Sequence, residues 1–418
     1  MSKNHSTYQM HCRFCKTVVT QNFCNLGMSP ISNAYVPRDM SQLGEQIYPL
    51  HAMVCGDCYL VQLDEFESRE SIFNSEYAYF SSYSASWLAH SEKYVDQMTS
   101  RFSLNGESQV IEIASNDGYL LQYFKNQDIP VLGIEPTANT AAVAQEKGIE
   151  SRVCFFGVET AKDLVKEGIQ ADLLLGNNVL AHVPDINDFV AGMKIALKPG
   201  GVVTMEFPHL LRLVALNQFD TIYHEHFSYL SFTTVEKIFA AHGLVLFDVD
   251  ELPTHGGSLR IYARHAENTS LAVEPRVAAM KTNELEAGLC DLATYADFEK
   301  SVHRCKRELL RFLVDAQEAG KTVVGYGAPA KGNTLLNFCG VGQDLIDFTV
   351  DRSEHKQGTY LPGVRIPVYA PEAIQEAKPD YVLILPWNLE TEIVEQMKMI
   401  REWGGKFVVP IPVVRIIE

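Results

Sequence analysis

A chain of 418 residues with 46% hydrophobic and 21% charged residues has room for two or three domains with sizeable cores. Its 35 Lys and Arg against 52 Asp and Glu give a net charge of −17, and no basic cluster stands out, which argues against nucleic acid as a partner. No apolar run is long enough to span a bilayer and the first ten residues are polar, so no membrane contact and a cytoplasmic location are expected.

The first segment carries two C-x-x-C pairs, Cys12-Arg13-Phe14-Cys15 and Cys55-Gly56-Asp57-Cys58. Two intervening residues let both thiolates of a pair face one ion, and four sulfurs close a tetrahedral shell. A structural zinc site on Cys12, Cys15, Cys55 and Cys58 is the expectation, in a segment too small to bury a core alone. Cys24, His11 and His51 are weaker substitutes for one ligand. The total of nine cysteines, an odd number, does not suggest a disulfide framework.

From residue 110 the text alternates apolar runs with helical stretches, which predicts a parallel sheet covered by helices. Strands are expected at 110–114, 131–135, 172–176 and 201–207, a helix at 233–242, and further strands at 244–249 and 259–263. A long, partly exposed helix is expected at 294–319, stopped by Gly320. A second alternating region follows, with strands at 322–325, 347–350, 381–385 and 407–409.

The run Val110-Ile111-Glu112-Ile113-Ala114-Ser115-Asn116-Asp117-Gly118 is a strand entering a tight turn, where doubly wound sheets bind ligands. Gly118 lets the backbone approach a ligand closely, and Glu135, ending the next strand, suits the two ribose hydroxyls of an adenosine. The turn is not G-x-G-x-x-G. A third strand ends in Gly176-Asn177-Asn178 with His182 just after, and Leu197-Lys198-Pro199-Gly200-Gly201 resembles the turn before a central strand of class I methyltransferases. Together these resemble an S-adenosylmethionine domain, with Glu112, Ala114, Asn116, Gly118, Glu135, Asn177 and Asn178 as the cofactor-binding set.

The block Thr221-Ile222-Tyr223-His224-Glu225-His226-Phe227-Ser228-Tyr229-Leu230 gathers imidazoles, a carboxylate and phenols. Methylating a carbon beside a ketone needs a base for the α-proton and a donor for the enolate oxygen, and imidazole and phenol suit those tasks. A metal site or a hydrogen-bonded strand end is the alternative. In a strand, His224 and His226 would share a face. Spacing alone does not choose the base.

Two C-x-x-C pairs, E-I-A-S-N-D-G, Y-H-E-H-F-S-Y-L-S and G-Y-G-A-P-A-K-G-N-T occur in this order along nearly the whole chain. This resembles the nucleotide-sugar C-methyltransferases that make branched deoxysugars of the tetronitrose and mycarose type. The resemblance implies an α/β protein of three parts: a zinc-binding domain (1–72), a Rossmann-like class I methyltransferase domain (73–265) and a second Rossmann-like α/β domain (266–418). It implies S-adenosylmethionine and structural zinc as cofactors and an NDP-sugar, usually a dTDP-4-keto-deoxysugar, as substrate. Methylation is expected at carbon 3, while some relatives act at carbon 5. His226 takes the role of base, Tyr223 and Glu225 line the site, and His182 and Tyr77 match further active-site positions. Ser82, Lys331, Asn333, Glu354 and Trp387 are expected at the substrate, with Lys331 and Asn333 on the diphosphate. The protein is expected to be a monomer or weak homo-oligomer. A nucleotide-sugar oxidoreductase using NAD(P) through the C-terminal turn is the alternative, because Gly325-Tyr326-Gly327 followed by Asp351 looks like a dinucleotide fingerprint.

Overall fold

A computed structural model describes residues 9–73 and 80–418. The chain forms two compact units, each discontinuous in sequence. One comprises Met1–Val19, Cys55–His209 and Phe227–Cys290; the other comprises Thr20–Val54, Leu210–His226 and Asp291–Glu418. This grouping differs from three contiguous segments. The reason lies in the hairpin Gln21–Ser29/Tyr48–Val54, which packs on the long helix of the second unit: Phe23 stacks on Phe298 at 4.6 Å and meets Tyr295 edge-on at 5.9 Å.

The first unit is built on seven strands: β1 (Val110–Ile113), β2 (Val131–Ile134), β3 (Ser151–Arg152), β4 (Ala171–Asn177), β5 (Leu197–Pro208), β6 (Leu244–Leu252) and β7 (Ser258–His265). Their spatial order is 6-7-5-4-1-2-3. The pairs from β3 through β5 are parallel, and β7 runs antiparallel to both β5 and β6. This is the class I methyltransferase arrangement. Strand order reverses between β1 and β4, which places the ligand crevice at their carboxyl ends.

Helix α1 (Ala85–Phe102) starts where the Ser84 side chain accepts from the Trp87 N–H. Its buried residues Trp87, Ser91, Tyr94, Val95 and Met98 recur at helical spacing, and Trp87, Tyr94, Val95 and Met98 pack in one core with Val110, Leu173 and Val202 of the sheet. Helix α2 (Phe232–Ala241) is capped twice, by its own Ser231 and by Glu284 of helix α3 (Pro275–Glu286), whose carboxylate accepts the Phe232 and Thr233 N–H groups at 2.6 and 2.8 Å. Glu284 also accepts from His209 Nε2 at 2.7 Å, with both side chains fully buried. Removing one member of such a group strands the others without water. Glu284→Ala is expected to cost ~3–5 kcal/mol of stability, read by urea unfolding of the purified protein.

In the second unit, helix α4 (Leu292–Glu318) precedes a six-stranded sheet. Its strands are β8 (Val323–Tyr326), β9 (Thr349–Val350), β10 (Val368–Tyr369), β11 (Tyr381–Ile384), β12 (Lys406–Val409) and β13 (Arg415–Ile417), in the order 10-9-8-11-12-13. All neighbours are parallel except β12 and β13. Helix α5 (Ala330–Cys339) follows β8 through a turn at Gly327, whose φ of +88° and approach to Pro386 leave no room for a Cβ. Among the described residues no helix is long and apolar enough to cross a membrane.

Candidate active site

The four paired cysteines converge. Their sulfurs all lie within 4.8 Å of one another, and Cys12–Cys58, Cys15–Cys55 and Cys15–Cys58 are separated by 3.5, 3.4 and 3.7 Å. A Zn–S bond of about 2.3 Å puts the corners of a tetrahedron about 3.8 Å apart, so the donor set fits zinc. The two knuckles have the same backbone. Lys16 N–H bonds back to Cys12 O and Tyr59 N–H to Cys55 O, and Lys16 and Tyr59 both have φ of 65°. The knuckles are tied to the methyltransferase sheet's unit: Arg13 donates to Pro184 O, Asn187 donates to Arg13 O and Phe14 O, and Thr234 donates to Cys58 O. Cys24 is buried, with burial pushing its thiol up, and it is not part of this cluster; nor are His11 and His51.

The turn after β1 has an unusual backbone. Ala114, Asn116 and Gly118 have φ of 57°, 49° and 73°. These alternate positions are where a G-x-G-x-G text would place glycine, so the loop has glycine-type geometry without the glycines. Holding non-glycine residues there costs energy and is typical of ligand sites. A Cβ on Gly118 would meet Ile149 Cδ1 at 2.4 Å and Ala144 Cβ at 3.2 Å. Gly118→Val is expected to weaken S-adenosylhomocysteine binding at least about tenfold, equivalent to about 1.4 kcal/mol, measured by titration calorimetry.

Around this turn lie buried polar atoms with no hydrogen-bond partner among the described residues: both carboxylate oxygens of Glu112, Ser115 Oγ, Asp117 Oδ1, Asn177 Nδ2 and Asn178 Oδ1. Burial holds the Glu112 carboxyl well above the usual range. Acceptors and a donor of this kind fit the amino acid and nucleoside parts of S-adenosylmethionine. Glu135, expected at the ribose hydroxyls, is engaged within the turn. Its carboxylate already accepts Asn116 N–H and Thr137 N–H at 2.8 Å each, together with the Thr137 hydroxyl. Three of about four lone-pair sites are taken, which leaves one for a ribose hydroxyl. Ser82 belongs to this turn as well: its N–H donates to Asp117 Oδ2, and its hydroxyl accepts from Lys147 Nζ at 3.0 Å.

Asn178, with φ of +54° at the end of β4, donates its amide to His255 Nε2 at 2.8 Å. His255 packs edge-on against Trp87, which stacks on His90 at 4.9 Å. His90 in turn donates to Glu206, which also accepts from Thr254 and from Arg260, its antiparallel register partner. The sequence reading missed this buried group. Its signal was a charge inside each of two apolar strands, Glu206 in V-V-T-M-E-F-P and Arg260 in S-L-R-I-Y-A. His182 closes a short helical turn after β4 and meets Phe73 edge-on at 5.8 Å. Tyr77 lies outside the described residues.

In the second unit, residues 222–226 form a turn and loop, so strand alternation does not set which side chains share a face. His226 N–H bonds to Tyr223 O, bringing the two rings together with centroids 4.0 Å apart. His226 Nδ1 contacts Thr221 O at 2.9 Å, which makes Nδ1 the protonated nitrogen. In the neutral ring Nε2 then carries the lone pair and accepts from the Tyr223 hydroxyl at 2.9 Å. Glu225 is buried, and burial pushes its carboxyl up to about 7, opposed by the Asn33 amide. His224 faces elsewhere: its Nε2 donates to Pro49 O.

The C-terminal glycine turn departs from expectation at several residues. Asn333 is fully buried with its amide donating to Ser32 O, so it braces the fold and does not present itself to a phosphate. Lys331 is part-exposed, donates to Asn388 Oδ1 at 2.7 Å and sits over the Trp387 ring at 4.7 Å. Burial pulls its ammonium down while Asp220 pulls it up. The Trp387 indole N–H donates to Asp220, a fully buried acid pushed up to about 6 by burial. Glu354 is exposed in the turn after β9. Asp351, the acid of the dinucleotide fingerprint, accepts the Ala328 and Ser353 N–H groups and lies 3.5 Å from Lys356 Nζ. Lys356 and the Tyr35 hydroxyl both donate to Ala328 O.

Family models match three consecutive stretches: a zinc binding domain over residues 12–73, a methyltransferase domain over 87–249, and a C-methyltransferase C-terminal domain over 253–412. The C-methyltransferase NovU of Streptomyces niveus is 36% identical over 407 residues, 97% of this chain and 96% of its own. A ubiquinone biosynthesis O-methyltransferase of Chelativorans sp. (strain BNC1) is 30% identical over 96 residues, 23% of this chain and 38% of its own. The solved structure of magnesium protoporphyrin IX methyltransferase from Synechocystis PCC 6803 overlaps 42% of this chain and 78% of its own at 14% identity, with a TM-score of 0.33. The end-to-end match, the seven-stranded sheet and the four-cysteine cluster have one meaning: the chain belongs to the S-adenosylmethionine-dependent C-methyltransferases that carry a zinc-binding domain.

Proposed function

We propose that this enzyme methylates a carbon beside the ketone of a nucleotide-linked 4-keto-deoxysugar, dTDP being the nucleotide and carbon 3 the acceptor. The observation that carries this reading is the pair of contacts made by His226, Nδ1 to Thr221 O and Nε2 to the Tyr223 hydroxyl, each at 2.9 Å. A carbon acceptor has no lone pair, so a proton must leave before the carbon becomes a nucleophile. An imidazole with Nδ1 donating to Thr221 O keeps Nε2 basic in the neutral ring; once Nε2 has taken the α-proton it can donate to the Tyr223 oxygen, which frees the Tyr223 O–H to turn to the oxygen of the enolate. Glu225, with its carboxyl near neutrality, exchanges a proton in the working range. When bound, S-adenosylmethionine supplies an electrophilic methyl group; Glu112, Asn116, Glu135 and Asn177 are the side chains proposed to hold it. Lys331 remains the candidate cation for the diphosphate. The positions 1–72, 73–265 and 266–418 are kept as the proposed functional segments.

An oxidoreductase using nicotinamide through the C-terminal turn is disfavoured by Asp351. Its carboxylate already bridges two backbone N–H groups and pairs with Lys356, while Tyr35 and Lys356 fill the approach to Ala328. The test is incubation with methyl-labelled S-adenosylmethionine and dTDP-4-keto-6-deoxyglucose. The expected product carries the label on a ring carbon next to the ketone. A label on oxygen, or NADH binding without S-adenosylhomocysteine binding, contradicts the proposal.

A further inference from the structure

The Asn33 side chain meets the Glu225 carboxyl symmetrically, its Nδ2 lying 2.8 and 2.9 Å from the two oxygens. We propose that Asn33 is a positioning residue that orients the Glu225 carboxyl for proton exchange, mounted on the strap of residues 32–35. This rests on the reading of Glu225 as part of the proton-handling site. Asn33 is 192 residues away in sequence and belongs to none of the motifs that identify the family.

The strap is fixed on both sides of Asn33. Ser32 O accepts from the buried Asn333 amide at 2.6 Å, and the Ser32 hydroxyl pairs with the Thr334 hydroxyl, which donates to Ile222 O next to Tyr223. Two residues on, the Tyr35 hydroxyl donates to Ala328 O at the glycine turn. Tight backbone turns, Ala34 N–H to Ile31 O and Tyr35 N–H to Asn33 O, leave Asn33 little freedom. The strap therefore presents one amide to one carboxyl in a defined orientation, and ties that carboxyl to the helix and turn that follow β8.

The contact has a chemical preference. An ionised carboxylate accepts at both oxygens, whereas a protonated one turns one oxygen into a donor and loses half of a symmetric contact with an NH2 group. Asn33 thus favours the charged form of Glu225, against the burial that disfavours it. Of the other titratable groups, Tyr35 on the strap feels the Glu225 charge, and Tyr223, His224 and His226 share its loop. Losing Asn33 should both loosen the carboxyl and make it hold its proton to higher pH.

The experiment follows deuterium entry from D2O into dTDP-4-keto-6-deoxyglucose as a function of pH for wild type, Asn33→Ala, Asn33→Asp, Glu225→Gln and the Asn33→Ala/Glu225→Gln double variant. For Asn33→Ala we expect the maximal exchange rate to fall about 10- to 100-fold, as for a lost hydrogen bond to a charged group, with a smaller change in KM. The profile limb should move upward by about one pH unit. Asn33→Asp, which sets a second carboxyl against the first, should move the limb further in the same direction. In the Glu225→Gln background, Asn33→Ala should add nothing. Thermal melting checks folding, and Asn33→Ser, which keeps a short polar side chain, substitutes if the alanine variant does not fold. A limb that stays in place, or a double variant that shows the full product of both losses, overturns the role of Asn33 alone. Wild-type exchange in Glu225→Gln overturns the reading of Glu225, and this inference with it.

Discussion

Replacing His226 with asparagine is expected to lower the rate of methyl transfer by about 10²- to 10⁴-fold, the usual contribution of a positioned general base. Asparagine is close to histidine in size, and its amide can still donate to Thr221 O. What it lacks is a basic nitrogen in place of Nε2, the atom that faces the Tyr223 hydroxyl. Cofactor binding should be unchanged, because the unpartnered groups that fit S-adenosylmethionine lie between Glu112 and Asn178 in the other unit. The check is steady-state kinetics together with calorimetric titration of S-adenosylhomocysteine. Loss of rate with intact affinity is the expected pair; a rate within a few-fold of wild type removes His226 from the role of base.

Removing the metal is expected to have the largest effect on stability. Zinc binding by four thiolates is worth roughly 10–16 kcal/mol in small zinc modules, and here it fixes knuckles whose backbone reaches into the first unit through Arg13, Phe14 and Cys58. Four thiols this close cannot all ionise unaided. The contact with Cys58 pulls the Cys12 thiol down, while burial pushes the Cys55 thiol up. An ion removes that conflict by taking all four as thiolates. Purified protein should contain one zinc per chain, and Cys55→Ser or a strong chelator should lower the melting temperature sharply and reduce the yield of folded protein. Metal analysis and calorimetry read this out. A zinc-free chain that melts like the native protein would refute it.

Much of the scaffold was legible in the sequence because buried parallel strands are continuous apolar runs bounded by turns. Expected strands at 110–114, 131–135, 172–176 and 201–207 correspond to β1, β2, β4 and β5, and the helix at 294–319 to α4. The hairpin at Gln21–Ser29 and Tyr48–Val54 escaped notice. Its partner is α4, more than 200 residues away, and no local pattern announces that packing. The cofactor turn was found by its place in the strand pattern, but its alternating left-handed residues were hidden behind alanine and asparagine.

Residue roles divide the same way. The resemblance put Tyr223 and His226 in one site, and spacing within a motif brought Cys12, Cys15, Cys55 and Cys58 together. It could not reveal Asn33 on Glu225, Asp220 under Trp387, or Glu284 on His209, because each joins distant segments. Asn333 was misjudged for a related reason. A polar residue after a glycine turn suits a phosphate, yet here the helix turns it inward to brace Ser32.

The central claim is that this protein makes a carbon nucleophile beside a sugar ketone, using His226. Its most direct test is proton nuclear magnetic resonance of dTDP-4-keto-6-deoxyglucose in D2O with wild-type enzyme and S-adenosylhomocysteine. The account predicts deuterium wash-in at carbon 3, absent with His226→Asn. Protons that stay in place at both carbons flanking the ketone, or equal exchange by the His226 variant, would contradict it.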